Sequence, residues 1–448
     1  MKNALLAGLL SLLPVWAASQ YFLEDPYLQL GDNASRADEL SLLWQTEDQD
    51  SAWSVEVRPT VEGNWTKMGE PTYRHIVVGG VEPHRVYAIK LTGLAPGSEF
   101  EYRVMNSGKQ VFDAKARARH SANQPYRFVA FGDCGADTPN ERAVAYQTSL
   151  AKPDFVFIAG DIVYSAGRIS EYRKKYFPIY NAEKASAFDG APLLRSIPFI
   201  AAGGNHDLAP PAIIPGHSDR FAYFYYWSQP LNGPLTTPGA ANTPVLKGDE
   251  IQSAGDKYPR MANFSFDYGN AHWLVLDSNA YVDWNDAKLR EWVENDLKSA
   301  QGATWRIVGF HHPGFNSSKA HFKDQWMRGL SPLFEKYGVD LVLAGHVHNY
   351  QRTYPLKYDH DGTWTLDKTY DGKNKTKPNG VIYLVTGGGG AGLYDTNQEK
   401  QPETWQTFTM KFTSSTHSLT VVDVDGKKLT ARQLAENGNE VDHFVVTK

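Results

Sequence analysis

The sequence predicts two domains, an N-terminal β-sandwich over residues 22–119 and an α/β domain over residues 125–448. The first observation is length, because 448 residues exceed what one hydrophobic core usually organises. The second is that short segments of alternating apolar and polar residues, separated by Gly, Pro and Asn, fill the chain up to about Arg119, which is typical of a β-sandwich. The third is a change after residues 120–125, where continuous apolar runs begin to alternate with helical patterns.

The predicted strands of the first domain are short. The alternating segments are 40–44, 53–57, 85–91 and 99–104. The stretch 91–102 resembles the corner of fibronectin type III domains, which supports the β-sandwich. No chemistry is visible in this part of the chain, where the histidines are scattered.

The second domain carries more continuous apolar strands and regular helical patterns. Its predicted strands are 126–131, 154–159, 198–202, 272–276, 305–310, 339–344 and 381–386. Its predicted helices are 140–150, 170–180, 286–299 and 324–337. An insertion over 208–258 is rich in Pro and Gly and contains an aromatic cluster at 221–227, which either walls a substrate pocket or pins the insertion onto the domain.

The first 19 residues have the composition of a secretory signal peptide. A basic start is followed by an apolar run that is shorter than the roughly 20 residues needed to cross a bilayer. Small residues at Ala17, Ala18 and Ser19 then supply a cleavage site. We therefore expect a secreted or periplasmic protein without a membrane span, and a buried N-terminal helix is the alternative.

Net charge argues against a nucleic-acid-binding protein, and the cysteine content excludes an intramolecular disulfide. The formal net charge is −5 and the isoelectric point is near 6.3, which argues against a nucleic-acid-binding surface because such a surface needs clustered Lys and Arg. Cys134 is the single cysteine, so the chain has no intramolecular disulfide. Any attraction for an anionic substrate must therefore be local.

Several predicted strands run directly into glycine and a residue type that binds metals. The motifs are Gly132-Asp133, Gly160-Asp161-Ile-Val-Tyr164, Gly204-Asn205-His206-Asp207, Phe310-His311-His312-Pro313 and Gly345-His346-Val-His348. Because the carboxyl ends of neighbouring parallel strands meet at one edge of a sheet, these side chains are expected to converge. Each motif alone is weak, but their joint appearance is a strong signal.

The residue types select the chemistry of this edge. Carboxylate, imidazole, amide and phenol groups without a cysteine cluster suit Fe, Zn or Mn. One carboxylate can bridge two such ions, and a pair of ions can clamp a phosphate group for in-line attack. The sequence therefore predicts a dinuclear metal site that acts on phosphate esters.

The ordered motifs resemble those of the metallophosphoesterase superfamily, and Tyr164 indicates its purple acid phosphatase branch. Those enzymes often carry a fibronectin-like domain before the catalytic domain, and the tail 419–429 is similar to their closing hairpin. The resemblance implies a four-layer α/β/β/α sandwich for the catalytic domain. The ligands that it implies are Asp133, Tyr164 and His348 for Fe(3+), Asn205, His311 and His346 for a divalent Fe, Zn or Mn ion, and Asp161 as the bridge.

Three further histidines need separate treatment. The family register Val-x-x-His-x-Pro favours His311 over His312 as the ligand, and adjacent side chains leaving a strand are expected to point in opposite directions. His312 is thus expected next to the ligands and not among them. The resemblance implies that His206 and His321 act on the substrate.

The implied activity is that of an acid phosphatase that hydrolyses phosphate monoesters by direct attack of a metal-bound hydroxide. The substrate would be a phosphorylated small molecule or peptide. The nearest alternative is a metallophosphoesterase that acts on phosphodiesters or nucleotide pyrophosphates, and an adhesion module is a more distant one. The glycine run 387–390 lacks the Lys-Ser/Thr of a P-loop, and its proximity to the metal edge is the only argument for substrate contact.

Overall fold

The computed structural model of the protein describes residues 21–59, 62–208, 211–234, 248–359 and 362–448. The predicted signal peptide, residues 1–19, and part of the insertion lie outside the described residues. Within the described ranges, none of the helices has the length and apolar character needed to span a membrane.

The strands and helices follow one another in this order. The strands are β1 (Glu24–Gln29), β2 (Glu39–Glu47), β3 (Trp53–Arg58), β4 (Thr66–Lys67), β5 (Thr72–Ile76), β6 (His84–Thr92), β7 (Glu99–Asn106), β8 (Lys109–Arg117), β9 (Tyr126–Phe131), β10 (Phe155–Ile158), β11 (Asn181–Ser186), β12 (Gly190–Pro192), β13 (Phe199–Ala201), β14 (Phe264–Tyr268), β15 (Ala271–Leu276), β16 (Trp305–Phe310), β17 (Leu341–Ala344), β18 (Tyr350–Thr353), β19 (Leu356–Tyr358), β20 (Trp364–Leu366), β21 (Ile382–Thr386), β22 (Thr409–Thr413), β23 (Ser418–Asp425), β24 (Lys428–Ala435) and β25 (Glu440–Thr447). The α-helices are α1 (Pro139–Ala151), α2 (Ile169–Glu171), α3 (Phe177–Tyr180), α4 (Ala222–Tyr226), α5 (Asp249–Ala254), α6 (Ala287–Ser299) and α7 (Ser331–Lys336).

The N-terminal part is a β-sandwich, as predicted. One face is formed by strands in the order β1-β2-β6-β5 and the other by strands in the order β4-β3-β7-β8. Buried side chains alternate with partly exposed ones along β3, and those facing inward pack between the two faces. Trp44 and Tyr87 lie at the centre of this core with their rings stacked 5.3 Å apart. Period-two alternation therefore identified the sandwich correctly.

The first sandwich face is continuous with a sheet of the α/β part of the chain. Strand β1 pairs in parallel with β13 at Gln29 and Phe199, so one sheet of ten strands runs in the order β25-β24-β23-β9-β10-β13-β1-β2-β6-β5. The sequence patterns did not predict this pairing, because it joins residues that lie 170 positions apart in the sequence. The continuous sheet ties the sandwich to the strands that carry the metal-ligand motifs.

The second sheet completes four layers. Its strands run in the order β14-β15-β16-β17-β21-β18-β22, and its inner face packs on the inner face of the first sheet through large side chains such as Phe128, Phe155 and Trp273. Helix α1 covers the outer face of the first sheet, while α6 and α7 cover the outer face of the second. The predicted α/β/β/α architecture is confirmed by this arrangement.

Strand ends, not helices, decide where the site lies. Strands β9, β10 and β13 are parallel, as are β15, β16, β17 and β21, so their carboxyl ends meet along one rim.

Two predicted helices are less regular than expected. Residues 170–180 contain a π-helical turn at Tyr172–Tyr176 between α2 and α3, and in 324–337 a 3₁₀ turn precedes the short α7. The closing hairpin of β23 and β24 also gains a third strand, β25.

The aromatic cluster of the insertion packs into the protein interior. The side chains of Tyr223, Tyr226 and Trp227 are buried, and the Tyr223 hydroxyl donates to the carbonyl oxygen of Ala201 at the end of β13. The Tyr226 hydroxyl lies 2.9 Å from Nε2 of His84 in the sandwich. Of the two interpretations left open by the sequence, the structure favours pinning of the insertion.

Candidate metal centre

The candidate ligands lie on the loops that follow five parallel strands. Asp133 follows β9, Asp161 follows β10, Asn205 follows β13, His311 follows β16 and His346 follows β17. Three of them have positive φ angles, +60° at Asp133, +51° at Asp161 and +67° at His346. Non-glycine residues adopt this conformation infrequently and at a cost, and Asp and His are among those that adopt it most often. The sharp turns bring side chains from both sheets to one point.

Glycine at the bends lets these loops approach one another closely. A Cβ atom on Gly204 would overlap Oδ1 of Asp161, and one on Gly345 would lie 2.7 Å from Oδ2 of Asp133. Both of these approaches, from Gly204 to Asp161 and from Gly345 to Asp133, are closer than van der Waals contact allows. The Gly-ligand spacing in the sequence therefore has a steric reason, which is that no side chain fits behind the carboxylates.

The first group of candidate ligands is Asp133, Tyr164 and His348. The Tyr164 hydroxyl donates to Oδ1 of Asp133 at 3.1 Å and lies 3.1 Å from Nε2 of His348. The same Nε2 atom lies 3.4 Å from Oδ1 of Asp133. The structure thus brings together the three side chains that the resemblance assigns to a ferric ion.

The second group is Asn205, His311 and His346. Nε2 of His311 lies 3.1 Å from Oδ1 of Asn205 and 3.3 Å from Nδ1 of His346. Asp161 connects the groups, because its Oδ2 atom lies 3.3 Å from His311 Nε2 and its carboxylate is clustered with that of Asp133. The arrangement is that expected of two adjacent cation sites with a shared carboxylate.

The donor set fits metal ions by two further observations. The ring nitrogens that face away from the centre are already anchored: Nδ1 of His311 donates to the carbonyl oxygen of Ala159 at 2.9 Å, and Nδ1 of His348 donates to that of Gly392 at 2.7 Å. Such anchoring fixes the tautomer and leaves the inward nitrogen lone pair for a cation. Oδ2 of Asp133 is buried and has no hydrogen-bond partner in the described structure, as expected of a ligand atom.

Burial and mutual charge control protonation at the centre. Burial opposes the charged form of the His311 ring, but the Asp161 carboxylate outweighs this effect and raises the His311 pKa to about 9. Burial together with Asp133 raises the pKa of Tyr164 well above its ordinary value. Neighbouring charge and burial therefore favour the protonated forms of His311 and Tyr164, and metal binding would have to release those protons.

His206 and His321 lie on the open side of the centre, with about a third of each side chain exposed. The backbone N–H of His206 donates to Oδ1 of Asp161, and its ring lies 4.5 Å from that of Tyr164. The ring of His321 lies 4.1 Å from that of His346. Both are therefore adjacent to candidate ligands and open to solvent.

His312 is closer to the centre than alternation along the strand suggests. Its ring lies 4.2 Å from that of His346, and its ligand atom falls in one cluster with those of His311 and His346. The expected divergence of adjacent side chains fails here because both residues follow the end of β16, where the extended backbone stops. Nδ1 of His312 is paired with the Ser278 hydroxyl at 3.0 Å, and Trp326 packs against the ring.

Three residues of the centre were missed by sequence reasoning. Asp324 contacts both His321 and His346. Asp207, the last residue of the Gly-Asn-His-Asp motif, accepts backbone N–H bonds from both the Asp161 loop and the Asn205 loop. Tyr394 stacks on His348 with ring centroids 4.0 Å apart. The His-x-x-Asp spacing was a visible signal for Asp324, whereas nothing in the sequence pointed to Tyr394.

The glycine run 387–390 supports the Asp133 loop. The N–H of Gly387 donates to the Asn349 carbonyl and the N–H of Gly389 donates to that of Gly132. A Cβ atom on Gly387 would lie 2.6 Å from Oδ2 of Asp133. These two N–H groups are therefore already used, and the run packs behind a candidate ligand.

Comparison with known proteins identifies the family of this chain. The family model for the calcineurin-like phosphoesterase matches residues 126–350. The chain is 26% identical over 402 residues to "Probable inactive purple acid phosphatase 1" of Arabidopsis thaliana, an alignment that covers 83% of this chain and 59% of that protein. It is also 26% identical over 336 residues to "Purple acid phosphatase 23" of the same plant, covering 68% and 62%.

Among solved structures, the chain is similar to the purple acid phosphatase PPD1 from yellow lupin, with a TM-score of 0.67, 20% identity and coverage of 94% of this chain and 74% of that one. This likeness supports the fold. The chain spans about six tenths of the length of the two plant relatives. Because one of these relatives is named as inactive, the activity of this chain has to be argued from its own residues.

Proposed function

Because this chain belongs to the calcineurin-like phosphoesterase family, we propose that it is a metal-dependent acid phosphatase that hydrolyses phosphate monoesters at a dinuclear centre. The single observation that supports this best is the pair of ligand groups joined by Asp161. Each group offers three side chains of the types that bind Fe, Zn or Mn. None of the seven positions carries a residue unable to bind a metal ion.

Asp133, Tyr164 and His348 would hold a ferric ion, and Asn205, His311 and His346 a divalent Fe, Zn or Mn ion, with Asp161 bridging. When bound, the two cations would neutralise phosphate oxygens and activate water. The protein residues would orient that chemistry. The anchored rings of His311 and His348 keep their inward nitrogens in place, and the glycine bends keep the carboxylates close.

His206 and His321 would act on the substrate from the open side of the centre. A protonated imidazole near the phosphate favours its negative charge, and imidazole is a common proton donor in catalysis. Tyr164 lies between the buried groups and His206 and would contribute its phenolate oxygen to the ferric site. With the predicted export signal, this activity would lie outside the cytoplasm and act on phosphorylated small molecules or peptides.

The test compares substrates and metals together. Purified protein should contain about two metal ions per chain, absorb visible light when loaded with iron, and hydrolyse a phosphate monoester such as nitrophenyl phosphate faster than bis(nitrophenyl) phosphate at acidic pH. Faster cleavage of the diester, or of a nucleotide pyrophosphate bond, would instead favour the alternative specificity. Full turnover after exhaustive removal of metals would contradict the metal-dependent mechanism.

The roles of His206 and His321 are tested by the leaving group. An alkoxide needs a proton to depart, whereas nitrophenolate is already a stable anion, so loss of a general acid should slow alkyl phosphates more. The expected difference is about 10²–10⁴-fold in kcat/KM. His206→Ala and His321→Ala are compared with the wild type across esters of graded leaving-group pKa, and His443→Ala serves as the control because His443 is exposed and lies on β25.

A further inference from the structure

The carboxylate of Asp324 touches two histidines that have different proposed roles. Its Oδ2 atom lies 3.0 Å from Nδ1 of His321 and 3.3 Å from Nε2 of His346. The two rings are 4.1 Å apart, and the Asp324 N–H also donates to the His321 carbonyl oxygen. A single oxygen atom of Asp324, Oδ2, thus contacts both the solvent-exposed His321 and the buried His346.

We propose that Asp324 is a positioning residue that couples the proton donor His321 to the divalent-metal ligand His346. The inference rests on the proposed phosphatase function, which it deepens by naming the residue that orients the rings of His321 and His346. This coupling requires that one oxygen of the Asp324 carboxylate accepts a hydrogen bond from a protonated nitrogen of each ring. The geometry supplies both contacts without any rearrangement.

On the metal side, Asp324 fixes the orientation of His346. Because Nε2 of His346 donates to Asp324, Nδ1 is left as the unprotonated nitrogen, and it faces Nε2 of His311 at 3.3 Å. A carboxylate behind a ligand histidine increases the basicity of the ring, and loss of such a partner typically weakens metal binding by about 10–100-fold. Asp324 should therefore contribute to the affinity for the divalent ion.

On the substrate side, Asp324 fixes which nitrogen of His321 transfers a proton. With Nδ1–H bonded to the carboxylate, Nε2–H is the donor. As the bond between phosphorus and the leaving oxygen breaks, its electron pair goes to that oxygen and the proton moves from Nε2 to it. The ring becomes neutral, keeps Nδ1–H on Asp324, and regains its proton from water.

The loop around His321 has anchors that do not involve Asp324. Asp395 accepts hydrogen bonds from the Ser318 hydroxyl and from the Ala320 N–H, the latter at 2.9 Å. Oε1 of Gln325 accepts the N–H of Asn316 at 2.8 Å. The loop is therefore expected to keep its path when the Asp324 carboxylate is replaced by an amide of the same shape.

The experiment compares Asp324→Asn with the wild type by two readouts. The first is the affinity of the metal-free protein for Zn²⁺ or Mn²⁺, measured by competition with a chelator, and it should fall by about 10–100-fold. The second is kcat/KM at saturating metal, which should fall at least about tenfold more for alkyl phosphates than for nitrophenyl phosphate. Lys323→Gln is the control, since Lys323 is exposed beside Asp324, and it should change neither readout.

A double variant separates coupling from a general disturbance. In the His321→Ala background, Asp324→Asn should no longer affect the leaving-group dependence of kcat/KM. It should still weaken the binding of the divalent ion. Asp324→Glu should restore part of both properties. The iron charge-transfer band should stay unchanged in Asp324→Asn, because Tyr164 and His348 belong to the other ligand group.

Two results would overturn the inference. One is an unchanged affinity for Zn²⁺ and Mn²⁺ in Asp324→Asn. The other is that Asp324→Asn lowers kcat/KM by the same factor for all esters, whether His321 is present or replaced by Ala. A wild-type protein that binds two metals but hydrolyses no phosphomonoester would contradict the proposed function alone. The metal-affinity measurement would still decide the role of Asp324 in that case.

Discussion

His272 should make the stability of the catalytic domain depend on pH in the alkaline range. The ring is 7% exposed and lies between two carboxylates, 2.8 Å from Asp267 on β14 and 2.9 Å from Asp296 on α6. Burial lowers its pKa, but the two carboxylates outweigh burial and raise the pKa to about 9. His272 sits at the amino end of β15, opposite the metal centre, so its effect is separable from metal binding.

The sign and size follow from the folded and unfolded pKa values. Since the folded pKa lies above the unfolded value of about 6.5, the stabilisation is fully present below pH 6.5 and is lost as the pH rises through about 9. The difference between these values corresponds to about 3 kcal/mol. This is an upper bound, because Asp267 is half exposed and its interaction is screened by water.

The assay is denaturant unfolding of the wild type and His272→Gln between pH 6 and pH 10. The difference in the free energy of unfolding should be about 2–3 kcal/mol at pH 6 and should decrease strongly by pH 10, where both side chains are neutral. His443→Gln is the control, because the His443–Glu440 pair is exposed and should contribute little. A difference that stays constant over this range would show that folding does not raise the pKa of the ring, and would refute the reasoning.

Four further predictions concern the centre and the surface. Asp161→Asn should lower the metal content and reduce phosphatase activity by at least about 100-fold, because the shared carboxylate is lost; metal analysis with steady-state kinetics checks this, and full activity would count against the bridge. Tyr164→Phe should remove the visible charge-transfer band of the iron-loaded protein, and a band that persists would remove Tyr164 from the ligand set. Gly204→Ala should destabilise the metal-free protein by about 1–3 kcal/mol in thermal unfolding, because its Cβ overlaps Asp161, whereas Gly302→Ala, with nothing within 4 Å, should not. Asn64-Trp-Thr66 and Asn316-Ser-Ser318 both match the Asn-x-Ser/Thr acceptor pattern for N-glycosylation. In a glycosylating host, mass spectrometry should find a glycan on the exposed Asn64 but none on Asn316, which is buried with its amide bonded to Ala320 and Gln351.

The strand patterns predicted most of the architecture. The strands 126–131 and 305–310 have the predicted bounds, and the sandwich face of β3 shows the predicted alternation. Such features are local, because they depend on the spacing of apolar residues within one segment. The order of the motifs also predicted which loops converge, since parallel strands place their carboxyl ends along one rim.

Local pattern was insufficient wherever a contact joined distant segments of the chain. The pairing of β1 with β13, the burial of Tyr226 against His84 and the closeness of His312 to His346 all depend on how elements are placed beside one another. The helical patterns at 170–180 and 324–337 likewise did not predict the π-helical turn at 172–176 or the 3₁₀ turn at 326–330.

The sequence by itself therefore indicated the candidate ligands and the loops that carry them, because ligand residue types follow the predicted strand ends and the ordered motifs resemble those of a known family. Only the tertiary structure decided that Asp324 contacts both His321 and His346, that Asp207 joins two ligand loops, and that Tyr394 stacks on His348. The physical reason is that a side chain's neighbours across a turn or a second sheet are set by sheet order and loop path, which the apolar period of a segment does not encode.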